Sequence, residues 1–423
     1  VFAGASGTGP GGGTAASSGA GGTTGQPVAA IQVAASTDGF HSCALLTTGA
    51  VRCWGYGVNG TLGHGNTAII GDNEPASAGG DVPLGAPATQ IATGHGHTCA
   101  LLTTGAVRCW GWAYGGRLGY GPGSNIGDDE TPASVGDVPL GATAVQIAAG
   151  GDHTCAVLTT GAVRCWGLGD LGALGRGSAV SIGDDEPASA GGDVPLGATA
   201  VQVTTGWSQT CALLTTGAVR CWGSVYLGNI GYGALAPVIV GDDETPASVG
   251  DVPLGARAVQ VAAGNEQTCA LLETGAVRCW GRGEHGALGH GDTQDIGDDE
   301  TPASAGDVPL GATAVQIAVG GMHACARLTT GAVRCWGEGS LGALGYGNTD
   351  RIGDDETPAS AGDVPLGATA GHLAAGGTHT CAVLTTGAVR CWGETKHGPL
   401  GYGTFDRIGD DETPASVGDV PLF

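Results

Sequence analysis

The chain is expected to fold as an all-β, seven-bladed β-propeller with four-stranded antiparallel blades and a Gly-rich N-terminal extension. Three observations predict this. A segment ending in Val-Pro-Leu recurs seven times, each copy divides into short strands between turn residues, and every cysteine falls at one spacing. Repeats of this length indicate propellers or solenoids. The terminal copies look ordinary, without the polar caps an open solenoid needs, so a closed ring is expected.

Residues 1–27 form the extension, and their Gly/Ser/Thr composition reads as a linker. Its small residues permit close backbone approach, and Phe2 offers an apolar anchor. The extension is expected to dock on a neighbouring copy and build a homo-oligomer or filament; lying along its own propeller is the competing arrangement. A start at Val1 reads as a processed chain.

Residues 28–423 form the propeller, with units at 28–84, 85–140, 141–196, 197–254, 255–310, 311–366 and 367–423. In the third unit the first strand reads 144–149, the second 155–158 and the third 162–166. A weaker fourth stretch leads from Ile-Gly-Asp-Asp-Glu to Asp-Val-Pro-Leu. Thr159-Thr160-Gly161 is the expected turn between strands two and three, with the glycine left-handed. That turn places Val157 opposite Val163, Ala156 opposite Arg164 and Cys155 opposite Cys165.

The cysteines therefore pair across one hairpin in every unit. Cys43 is expected to join Cys53, Cys99 to join Cys109, Cys155 to join Cys165, and Cys211 to join Cys221. Likewise Cys269 is expected to join Cys279, Cys325 to join Cys335, and Cys381 to join Cys391. Cross-strand distances of ~4.5–5.5 Å suit a disulfide. The Cys-x2-Cys spacing of zinc and redox sites is absent. A complete paired set points to an oxidising compartment, secreted or at the cell surface.

The net charge of −24 argues against a nucleic-acid partner, which needs a basic surface. Solubility, a cationic partner or a metal ion remain compatible with it. No apolar run reaches the ~20 residues of a membrane span.

The strings Ala-Ala-Gly-Gly-x-His-Thr (148–154), Gly-Ala-Val-Arg-Cys-Trp-Gly (161–167) and Gly-Ala-Leu-Gly-Arg-Gly (172–177) resemble the repeats of the regulator-of-chromosome-condensation propeller family. The resemblance covers residues 28–423. It implies the propeller fold. The family's nucleotide-exchange role on a nuclear G protein does not carry over, because this chain is acidic, disulfide-bonded and lacks a basic tail. Secreted bacterial relatives that inhibit a protein enzyme with one face fit the cysteines better.

In a four-strand meander, loops one–two and three–four share one face, and the two–three turn shares the other with the link between units. The second face is nearly constant here, and the first varies. Its variable residues include Phe40, His95, Asp152, Trp207, Met322, Tyr56, Trp112, Tyr114, Tyr226, His285, Lys396 and His397. Exposed aromatic, Met and basic residues anchor interfaces, so Tyr56, Trp112, Tyr114, Trp207, Tyr226, His285, Met322 and Lys396 are the candidate binding face for a protein or glycan. Neutral variation of loops is the alternative.

A polar ring of His41, His97, His153, Gln209, Gln267, His323 and His379 precedes the first cysteines. Two members are Gln, and seven blades spread equivalent residues too widely for one ion, so the ring is expected to bond loop backbone. The repeated Trp is expected between blades. The acidic triads, such as Asp128-Asp129-Glu130, and the Asp of each Asp-Val-Pro-Leu hold 27 of the 39 acidic residues. Ca²⁺ is a weak alternative there, since the spacing is not that of a calcium loop; the other reading is turn capping and pairing with the repeated Arg. No cofactor is implied. No nucleophile elbow or zinc-protease motif occurs, and identical repetition of the carboxylates argues against an enzyme. The expectation is a non-catalytic extracellular structural subunit, with a protein- or glycan-binding or inhibitor propeller as the alternative and a central-channel enzyme as a remote one.

Overall fold

The computed structural model describes residues 27–235 and 239–423. Phe2 and the assembly expectation attached to the extension fall outside the described residues.

Seven antiparallel sheets follow one another along the chain, each built from consecutive strands of one unit. In the third unit these are Ala144–Ala149, His153–Leu158 and Val163–Gly167. The hairpin register is the expected one, with Cys155 opposite Cys165, Ala156 opposite Arg164 and Val157 opposite Val163. Gly161 closes the turn at φ 78°, a conformation that a side chain would strain. The middle strand is buried throughout, which accounts for the Cys-Ala-Val-Leu run that follows His153 and Thr154.

All seven expected disulfides are present. Cys43 is bonded to Cys53, Cys99 to Cys109, Cys155 to Cys165 and Cys211 to Cys221. In the last three units Cys269 is bonded to Cys279, Cys325 to Cys335 and Cys381 to Cys391. Their Cα–Cα distances of 4.0–4.1 Å are shorter than the cross-strand spacing anticipated, because the bond draws the two strands together.

The expected fourth strand is much reduced. It is a single bridge in six units, such as Gly167 with Ile182, and the two-residue strand Ile239–Val240 in the fourth. The following Gly-Asp-Asp-Glu and Pro cannot continue a ladder. The chain instead turns through one short helix, such as Pro132–Val135. It then returns along the outer strand, where the Val138 amide donates to the Val107 carbonyl.

Successive blades are fastened by repeated side-chain bonds. The polar ring bonds loop backbone only in part, as His97 Nδ1 does with the His95 carbonyl at 3.4 Å. Its histidines reach the hydroxyl one residue further on in the next unit: His41 to Thr98 at 3.0 Å, His97 to Thr154 at 2.9 Å and His153 to Thr210 at 2.7 Å. Gln209 and Gln267 donate instead to next-blade carbonyls, of Gly264 and His323. Each repeated Trp is fully buried, and Trp166 donates its indole N–H to the Arg117 carbonyl of the preceding unit. The repeated Arg pairs with the Asp of Asp-Val-Pro-Leu, as Arg108 does with Asp137 at 2.7 Å, and its other arm bonds the Leu84 carbonyl of the unit before.

The same fastenings join the last unit to the first, which closes the ring. His379 meets the Ser42 hydroxyl at 2.7 Å, Trp54 donates to the Pro399 carbonyl, and Arg52 donates to the Leu422 carbonyl.

The first strands line the central channel. Six glutamines there reach across to the next blade's backbone. Gln90, for example, donates to the Ile147 carbonyl and accepts from the Ile147 amide, both at 2.9 Å. Gln32, Gln146, Gln202, Gln260 and Gln316 repeat the pattern. His372 occupies the seventh position, and its buried Nδ1 has no partner. An imidazole cannot donate and accept side by side as an amide does. His372→Gln is therefore expected to complete the ring at the closing seam and add about 1–2 kcal/mol, read as a higher urea midpoint with an unchanged slope. An unchanged or lower midpoint would contradict the pairing.

Candidate recognition face

Backbone bonds assign the loops to the two faces expected. Loop one–two meets loop three–four within each unit: Tyr56 donates to the Phe40 carbonyl, Trp112 to Gly96 and Leu168 to Asp152. On the other face the two–three turn meets the link between units, with Ala144 donating to the Gly105 carbonyl.

Arg117 organises the most elaborate part of the variable face. It is fully buried. Its guanidinium lies 2.5 Å from the Asp152 carboxylate, donates to the His95 carbonyl at 2.6 Å, and donates through Nε to the Tyr114 carbonyl at 2.8 Å. It also sits 4.6 Å from the Trp112 ring centre. Around it, Trp112 stacks on Tyr114 at 5.2 Å, and His95 stacks on Trp207 at 4.9 Å while meeting Trp112 edge-on. Burial lowers the Arg117 pKa, with Asp152 opposing. For Asp152, burial favours the neutral acid, but the neighbouring His95 ring at 3.6 Å and the Arg117 charge overcome it and hold the carboxyl low. The ion pair thus sits beneath rings that remain open to solvent, with Tyr114 57% and Trp207 40% exposed.

The structure brings Trp112, Tyr114 and Trp207 together, and leaves the other candidates apart. Tyr56 joins a second cluster at the closing seam with His397 at 4.4 Å and Phe40 at 6.1 Å. Tyr226 is exposed, and Met322 is half-buried. His285 faces Glu338 at 3.3 Å, and Lys396 is exposed without an ion pair among the described residues. Sequence reasoning passed over Arg117. The signal was present, because the other units carry Thr61, Ala173, Asn229, Ala287, Ala343 and Pro399 at that position. A large cation among small or neutral residues marks a local departure from the repeat.

The acidic triads do not pair with the repeated Arg. The Asp128, Asp129 and Glu130 carboxylates crowd within 4.8 Å of one another. Burial first, and then neighbouring Asp groups, raise the Glu130 pKa.

Seven disulfide-closed sheets joined in a ring, one face uniform and the other diversified around an aromatic cluster, define a seven-bladed β-propeller. Sequence models of the regulator of chromosome condensation repeat match residues 30–61, 88–116, 144–173, 258–287, 314–343 and 372–398, and a second model of the same repeat matches 48–101, 104–157 and 274–327. The chain belongs to the regulator of chromosome condensation repeat family.

It is 29% identical over 384 residues to the ultraviolet-B receptor UVR8 of Arabidopsis thaliana, covering 88% of this chain and 79% of that protein. It is 28% identical over 347 residues to the E3 ubiquitin-protein ligase HERC2 of Homo sapiens, covering 81% of this chain and 7% of that much longer protein. Among solved structures, yeast regulator of chromosome condensation (Prp20) bound to Kap60 superposes with a TM-score of 0.67 at 20% identity, over 86% of this chain and 82% of that one. Human WBSCR16 superposes with a TM-score of 0.68 at 18% identity, over 88% and 93%. Identities this low establish the common fold. No helix among the described residues is long and apolar enough to cross a membrane.

Proposed function

We propose that this chain is a non-catalytic extracellular propeller that binds a protein partner through its variable loop face. The observation that carries the reading is the Arg117–Asp152 pair, which spends a buried charge on fixing exposed aromatic rings. A buried pair of this kind gains little stability over apolar packing, so its use at a surface favours positioning as its role. Rigid, exposed Trp and Tyr are the side chains that anchor protein interfaces. Protein binding is in keeping with the yeast relative, whose structure holds Kap60. The seven disulfides support an oxidising, extracellular setting of the kind the secreted bacterial type would occupy. The expectation of a self-assembling structural subunit rests on Phe2 and the extension, outside the described residues, whereas the cluster lies within them.

The test compares the double variant Tyr114→Ala with Trp207→Ala against a control on the constant face, Thr159→Glu with Thr160→Glu. Immobilised wild-type protein and the control should capture the same partner from extracellular extract of the source organism, and the double variant should retain less than a tenth of it. Capture that is lost with the control instead, or equal in all three, sinks the reading.

A further inference from the structure

Beside the aromatic cluster, between the third and fourth units, the loop face opens into a cavity of about 510 Å³. Its walls are Trp207 on one side and Leu168, Leu171 and Ala179 on the other. Leu171 is an unusual wall residue. At φ 58° and ψ 23° it holds a branched side chain in left-handed backbone, and the side chain is 46% exposed. Such backbone costs about 1–3 kcal/mol, and burial does not offset it here. Units one, two and five place Asn59, Gly115 and His285 at the same position, residues that tolerate the conformation or favour water. Leu227 of the fourth unit shares the backbone but is half-buried. An exposed leucine in strained backbone therefore marks the mouth of this cavity.

The charges around the cavity have one sign. Asp170 stands exposed at its edge and makes no ion pair among the described residues. Asp152, deeper in the cavity, is already neutralised by Arg117. His153 also lines the cavity, and burial holds its pKa at about 4, so it carries no positive charge near neutral pH. Arg176 of the same unit turns toward Gly191 and does not line the cavity. Around this site lies a chain with a net charge of −24, in which the repeated Arg are tied to Asp partners.

Resting on the recognition-face reading, we infer that this cavity takes an arginine or lysine side chain from a basic segment of the partner polypeptide. The aliphatic stem fits between the Trp207 indole and Leu171, and the cationic head reaches the free carboxylate of Asp170. Long basic side chains bury their stems on apolar walls while keeping the charge wet. An indole face adds attraction for the cation, and the acidic surface steers a basic partner toward the face. An acidic ligand would meet Asp170 without compensation.

The probe is a fluorescein-labelled peptide of alternating Leu and Arg, read by anisotropy, beside a twin with Gln in place of Arg. The Arg peptide should bind wild type at least tenfold more tightly than the Gln twin. Asp170→Asn should weaken it at least fivefold and Trp207→Ala at least tenfold. Asp299→Asn, an exposed carboxylate of the fifth unit, should change it less than twofold. Equal losses for Asp170→Asn and Asp299→Asn would mean diffuse charge attraction and overturn the inference. So would absent binding, equal binding of the Gln twin, or a neutral oligosaccharide whose binding depends on Trp207 and not on Asp170. If the peptide fails while the Tyr114→Ala, Trp207→Ala double variant still loses its captured protein, the anchor chemistry is wrong and the face stands. If both fail, the face falls too.

Discussion

Full reduction is expected to unfold this protein. Each disulfide joins residues 10 apart, closing a short loop that nothing else in the sequence links covalently. Restricting the unfolded chain over a loop of that size is worth about 3 kcal/mol in the chain-entropy account. The seven loops are separate hairpins, so their contributions add to roughly 20 kcal/mol. Whole-protein stabilities usually lie near 5–15 kcal/mol, so the reduced chain should have none left. The fold depends on these links because its core is thin: aromatic residues make up 5% of the chain and the middle strands bury mainly Ala, Val, Leu and Cys. Far-UV circular dichroism in urea, with and without reductant, reads the effect. The paired variant Cys155→Ser with Cys165→Ser should stay folded and lose about 3 kcal/mol. A fully reduced protein with an unchanged urea midpoint would refute this account and remove the main support for an extracellular setting.

Much of this architecture is legible because the repeat supplies its own alignment. The turn Thr159-Thr160-Gly161 fixes the hairpin register, and the register fixes the Cys155–Cys165 pair. The outermost strand is less legible. Ile182 makes its one bridge with Gly167, but the Gly, Asp and Pro that follow favour turns, so an expected strand becomes a bridge and a short helical turn. The partner of each ring histidine was missed for a different reason. The contact runs from His41 to Thr98, one unit on, and neither local pattern nor spacing within a unit names it. The channel glutamines recur visibly, yet their double grip depends on how closely adjacent first strands approach in the ring. Arg117 shows the complementary lesson. The repeat makes the common residues readable as scaffold, and the one copy that departs from it marks the aromatic cluster around Arg117.

Acid should destabilise the same ring steeply. Burial holds the pKa of His41, His153, His323 and His372 at about 4 and that of His379 at about 3, and it lowers His97 well below the usual 6.5. In the unfolded chain these imidazoles take protons near pH 6.5, and in the folded chain burial makes them resist protonation well below that. The stability they carry is therefore complete above pH 6.5 and is lost as the pH falls toward the folded values. With six such groups, stability near pH 5 should fall by up to about 8 kcal/mol per pH unit. One set of groups opposes this. Burial, followed by bonds to neighbouring Asp, raises Glu300, Glu356 and Glu412 to about 7, so the folded chain gains stability from them as the pH falls from 7 toward their ordinary range. Those carboxyls are half-exposed and screened by water, while five of the six imidazoles, all but His372 of the channel, are wholly buried, so the histidines should dominate. Units four and five already carry the non-titrating alternative, Gln209 and Gln267, bonded to next-blade carbonyls. The double variant His323→Gln with His379→Gln should accordingly remove about two protons from the slope of unfolding free energy against pH, measured by urea titration at pH 7, 6 and 5. Equal wild-type stability at pH 7 and pH 5, or a double variant with the wild-type slope, would show that these histidines are not the buried neutral clasps their positions between the blades require.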